Sequence, residues 1–130
     1  MKLNGINIFI ILVVCAILYY FGNVAQEKRE DAKNIKLNNT LHKQIELLHN
    51  REMTIEKLKD EKKRAGYIFA LGRHIKGLKI YYSMALIEKP DFILDPKLEK
   101  DIKKYFGKIP TTDEEITDNY GYCPSMEKYK

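Results

Sequence analysis

The chain has 130 residues, enough for one small domain once an apolar stretch near its start is set aside. Its 23 Lys and Arg against 18 Asp and Glu give a net charge of +5, but the two signs are interspersed, which describes a solvated surface and not a basic groove for nucleic acid. Three scattered His, with no phosphate-cradling glycine loop, CxxC pair, HExxH motif or nucleophile elbow, leave no catalytic constellation, so neither an enzyme nor a cofactor nor a metal site is expected.

The first element is INIFIILVVCAILYYFG, Ile6 to Gly22, which contains no charged residue and follows Lys2. From Gly5 to Val24 the run is about twenty residues, which at ~1.5 Å per residue crosses a hydrocarbon core of ~30 Å. Ile and Val form helices poorly in water, but lipid enforces the helix because every backbone N–H and C=O must be satisfied internally. Residues 1–24 therefore read as a membrane anchor with Ile6, Phe9, Leu12, Val13, Ile17, Tyr20 and Phe21 among its members, and Tyr19, Tyr20 and Phe21 at one interface. Two alternatives are a cleaved signal peptide, for which Asn23 is a poor partner to Ala25, and a buried soluble helix. Cys15 follows Val14 where a lipoprotein signal has a small residue, and reads as a small hydrophobe. Lys28, Arg29, Lys33 and Lys36 after the run argue for a cytoplasmic C-terminus, while the short N-terminal tail argues for the reverse. The expectation adopted is a single pass through the inner (cytoplasmic) membrane with the C-terminus outside the cytoplasm.

Residues 25–64 contain neither Pro nor Gly and repeat apolar side chains at helical spacing, which predicts a long amphipathic, coiled-coil-like rod. Written as heptads, Leu37, Gln44, Arg51 and Leu58 fall on one seam position and Leu41, Leu48 and Ile55 on the other. Leu37, Leu41, Leu48, Ile55 and Leu58 are thus candidates for self-association as a dimer, which membrane tethering would assist. The competing reading packs Leu41, Ile45, Leu48, Ile55 and Leu58 on the chain's own C-terminal segment. Extended, the rod would reach roughly 60 Å. His42, Glu46 and His49 share one face, but without the usual His spacing they read as exposed side chains. The KLKDEKKR run from Lys57 to Arg64 reads as a solvated face, since Asp60 and Glu61 interrupt it.

Composition changes sharply at Ala65. In residues 65–109 a stripe of Ile68, Leu71, Ile75, Leu78, Tyr82 and Ala85 predicts a helix in spite of Gly66, Gly72 and Gly77. A hairpin, or a segment lying on a membrane surface, is the alternative. Asp95 followed by Pro96 predicts a helix start, with Leu98, Ile102 and Phe106 on one face up to Gly107. Together these predict a small helical region gathered around Phe69, Leu78, Tyr82, Leu86, Phe92, Ile102 and Phe106. Residues 110–130 show no period and read as an acidic, Tyr-containing tail, mobile or ordered only by a partner. Its Cys123 is either an unpaired thiol or an intermolecular disulfide partner. The predicted fold class is mainly α: one transmembrane helix, a long amphipathic or coiled-coil helix, and a small helical C-terminal cap.

This order of anchor, charged helical rod and C-terminal segment with a late Cys resembles the inner-membrane spanin subunits of tailed bacteriophages. The resemblance implies Ile6 to Phe21 as anchor, Leu37 to Leu58 as rod, and the region of Cys123 as the end that meets an outer-membrane lipoprotein partner during host cell lysis. The glycine-broken, aromatic Tyr67 to Ile87 segment departs from that pattern. Two further expectations are an envelope scaffold resembling small bitopic division proteins, and a membrane-tethered cytoplasmic adaptor or inhibitor. For a viral envelope protein, Asn38-Asn39-Thr40 would be a glycosylation sequon.

Overall fold

The structure, a computed structural model, describes residues 5–130, and Lys2 ahead of the apolar run lies outside the described residues. It is mainly helical, with no strand among the described residues: α1 (Gly5–Lys57), α2 (Glu61–Glu88), a 3-10 turn (Pro96–Leu98), α3 (Glu99–Phe106), α4 (Asp113–Asp118) and a terminal 3-10 helix (Pro124–Tyr129). Internal contacts divide the chain into two units, Met1–Ile35 and Lys36–Lys130.

In the first unit α1 has apolar side chains around its whole circumference and none of them is buried. Protein packing therefore contributes nothing to holding these turns. The apolar window in α1 is long enough to cross a membrane, and none of it lies inside the protein, which sets aside its reading as the core helix of a soluble fold.

The second unit is built on a single stripe. Leu41, Ile45, Leu48 and Ile55 lie four, three and seven residues apart along α1, with buried Glu52 between the last two, and these four are 0–2% exposed. The long helix then stops, because the Asp60 carboxylate accepts from the backbone N–H groups of Lys62 (3.0 Å) and Lys63 (3.2 Å) and starts a new one. The predicted rod over 25–64 is thus interrupted at 58–60, without Gly or Pro. α2 supplies Leu71, Ile75, Leu78, Tyr82 and Leu86 to the same core, so residues 65–87 are helix and not hairpin. Asp95 accepts from Lys97 N–H at 3.0 Å with Pro96 in the first turn, and α3 ends at Gly107, whose φ of +84° only glycine adopts easily. Leu98, Ile102, Tyr105 and Phe106 close the core, where the Tyr82 ring meets Phe92 and Phe106 edge-on at 5.8 and 5.4 Å.

Two further expectations differ from the structure. Phe69, placed in the core by its composition, is 69% exposed, because the buried side of α2 is set by Leu71, Ile75 and Leu78. Residues 110–130, read as a mobile tail, carry α4 on α2 and the terminal 3-10 helix on α3. Thr112 starts α4 by accepting from Glu115 N–H, and the Glu115 carboxylate accepts in return from Thr111 N–H and Oγ1. Ile116 is buried, and Met126 and Tyr129 pack against the core.

Candidate functional site

The seven side chains named for the anchor, Ile6, Phe9, Leu12, Val13, Ile17, Tyr20 and Phe21, are exposed, from Val13 at 40% to Ile6 at 70%. Ile6, Phe9, Leu12, Ile17, Tyr20 and Phe21 together form a continuous apolar surface, with the Tyr20 and Phe21 rings edge to face at 5.9 Å. In water such a surface is unfavourable at about 25 cal/mol per Å² of apolar area. It is the longest run of exposed large apolar side chains among the described residues.

The self-association residues have a different placement. Leu41, Leu48 and Ile55 are buried within one chain, against α2 and α3, while Leu37 and Leu58 are half-buried. The face drawn as a seam for a second copy is thus occupied by the chain's own C-terminal helices. Cys123 is a half-buried free thiol and Cys15 an exposed one.

Polar groups on the core side of the helices form three links. The first joins α1 to α3: Tyr105 Oη and Lys104 Nζ both donate to Glu52, each at 2.6 Å, and His49 Nε2 lies 3.0 Å from Asp101. Burial acts to raise the Glu52 carboxyl, but the bonds from Lys104 and Tyr105 and the Lys104 and Lys128 charges outweigh it, so its pKa falls below 4.5. Burial and the Glu52 carboxylate push the Tyr105 hydroxyl far up, and burial with the Glu99 charge takes Tyr82 up to about 12.

The second link is Asn38. Its amide nitrogen donates to Ile93 O at 2.9 Å and its oxygen accepts from Asp95 N–H at 2.7 Å, so one side chain completes the hydrogen bonding of the α2–α3 connection. The amide is buried and engaged on both sides, which removes it as a glycosylation acceptor in the folded unit.

The third link is Lys79, 2% exposed, whose ammonium donates to the backbone carbonyls of Asn119 (3.0 Å), Tyr120 (3.3 Å) and Tyr122. Burial lowers its pKa. Beside it is a pocket of about 270 Å³ lined by Phe106, Lys108, Glu115, Ile116 and Tyr122 among others. Each proton of the ammonium is used by the chain, so Lys79 ties the C-terminal segment to α2.

Of the three His, His42 pairs with exposed Glu46 at 3.0 Å, and His74 Nε2 lies 2.9 Å from Gln44 Oε1 while its Nδ1 is buried without a partner. Burial, then the Arg51 charge, lowers the His74 pKa. No cluster among the described residues has the composition of a metal site. Sequence reasoning missed Asn38, Glu52 and Lys79 as structural links, although each sits in register with buried neighbours: Asn38 three before Leu41, Glu52 four after Leu48, Lys79 four after Ile75.

Comparison with known proteins found no family model, no curated relative and no solved structure that matches this chain.

Proposed function

We propose that this chain is a single-pass membrane protein whose Lys36–Lys130 unit acts through protein contacts. The observation that carries the reading is the contrast inside α1: an apolar surface on every side of the helix that no part of the protein covers, followed by a stripe that the protein covers fully. A bilayer is the solvent that suits the first pattern.

Two specific forms follow. The order of parts supports spanin-like lysis from the inner membrane, with the C-terminus outside the cytoplasm and a lipoprotein of the outer membrane as partner. The packing of Leu41, Leu48 and Ile55 within one chain favours the second form, an envelope scaffold or cytoplasmic adaptor that presents a folded helical module and not an extended rod. Reporters fused after Lys130, one active only outside the cytoplasm and one only inside, separate the spanin and envelope-scaffold readings from the adaptor. An outward C-terminus keeps the spanin and envelope-scaffold forms; an inward one eliminates both and leaves the cytoplasmic adaptor. A chain recovered free of membrane, with or without its N-terminal residues, sinks the whole reading.

A further inference from the structure

We propose that the solvent side of α2 is a second membrane contact, a surface that lies on anionic lipid headgroups. The proposal rests on the anchor reading above. α2 has apolar side chains on both sides: Leu71, Ile75, Leu78 and Tyr82 fill the core, while Phe69, Ile80, Met84 and Ile87 are 69, 49, 57 and 64% exposed. At about 100° of rotation per residue these four line up in one strip directly opposite the core, with Arg73 and Lys76 between them. A helix that packs on a small bundle needs one apolar side to fold, so the second side is not explained by folding.

Charge selects what covers it. Arg73 and Lys76 are both exposed and no acidic residue lies between them on the strip, Glu88 standing at its border past Ile87. Pairing the strip with a second copy, parallel or antiparallel, would carry these cations into an apolar interface without a carboxylate to meet them, which is costly. A headgroup layer containing acidic lipid supplies the missing anions. Phe69, Ile80, Met84 and Ile87 enter the headgroup and acyl boundary while the aliphatic stems of Arg73 and Lys76 lie along them and their charged ends reach phosphate. The Lys76 ammonium sits over the Tyr120 ring at 5.8 Å, so an aromatic side chain borders the same strip. The anchor on the same chain makes weak affinity sufficient: residues 25–35 are helical in α1, with none of them buried, and span only about 16 Å.

The chain has no Trp, so one introduced Trp reports alone. Full-length Met84→Trp and Leu12→Trp are reconstituted in vesicles of phosphatidylcholine, with or without phosphatidylglycerol, whose acyl chains carry bromine as quencher. The expected result is that Leu12→Trp is quenched in both lipids. Met84→Trp is quenched at least about twofold with phosphatidylglycerol, less without it, and not after Arg73→Glu and Lys76→Glu are added. Met84→Trp left unquenched in both lipids, while Leu12→Trp is quenched, overturns the proposal and leaves the anchor standing. A blue shift without quenching that grows with the protein-to-lipid ratio gives the strip to a second copy and also overturns it. Equal quenching in both lipids that survives charge reversal overturns the assignment to anionic headgroups. Unquenched Leu12→Trp removes the anchor, and the proposal with it. Ile80→Trp, on the same exposed strip, repeats the measurement should Met84→Trp fail to give a cooperative melt.

Discussion

Two stretches of the same helix differ in what the rest of the protein does to them: one is left uncovered, the other is buried. Before Ile35, α1 carries Ile6, Ile8, Phe9, Ile11, Leu18 and Phe21 exposed around its whole circumference, whereas from Lys36 onward Leu41, Ile45, Leu48 and Ile55 form one line that faces α2 and α3. Composition already sets them apart, since Ile6 to Gly22 has no charged residue while residues 36–57 are rich in Lys, Glu, Asn and His. The angular spread of the apolar residues separates them: a full circle requires an apolar solvent, and a single stripe requires a partner in water.

Truncating one residue in each stretch is the strongest way to test that difference. Leu48→Ala removes a side chain with no exposed surface and should destabilise the second unit by about 2–5 kcal/mol, read from denaturant melts in detergent. Leu12→Ala should leave the same melt within about 0.5 kcal/mol, and an equal loss from both would erase the distinction. Polar positions on the stripe come next. Glu52→Gln weakens the bonds from Tyr105 and Lys104 and should cost roughly 1.5–3 kcal/mol, whereas exposed Glu46→Gln should change little. Asn38→Ala removes the acceptor of Asp95 N–H and a donor to Ile93 O, at about 1–3 kcal/mol, and faster hydrogen exchange at the Asp95 amide would localise the effect.

Acid gives a smaller, graded effect. In the folded unit His74 sits below its ordinary 6.5, so the unfolded chain takes up the proton first as pH falls; stability is complete above 6.5 and declines below it. His74→Gln should flatten that decline. Glu52 acts in a separate window, since its contribution is present above 4.5 and is lost as pH drops through its lower folded value. Least affected is His42→Ala, which breaks an exposed pair with Glu46 and should shift stability by under about 0.5 kcal/mol; a larger loss would mean that this side of α1 is covered after all.

The apolar run, the α2 stripe and the Asp95-Pro96 helix start were readable because each is local: composition, period and one cap decide them. What the sequence concealed depends on distant chain. The stop at residues 58–60 is made by Asp60 capping α2, with no breaker residue to mark it. The order in residues 110–130 comes from Lys79 holding three carbonyls some forty residues away, which no periodicity reveals. Asn38, Glu52 and Lys79 carried a readable hint, a polar side chain in core register, and that register is where polar links between helices are best sought. The heptad pattern of Leu41, Leu48 and Ile55 fits an intrachain bundle as well as a coiled coil, since 3.5- and 3.6-residue periods are indistinguishable over so few turns.

The central claim, that α1 passes from lipid to water along its length, is tested most directly by fractionating cells that express the unaltered chain, washing membranes with alkaline carbonate and taking the intact mass of the product. The account predicts that the full 130-residue chain stays in the membrane pellet. Release into the soluble fraction, at full mass or shortened at the N-terminus, would contradict it.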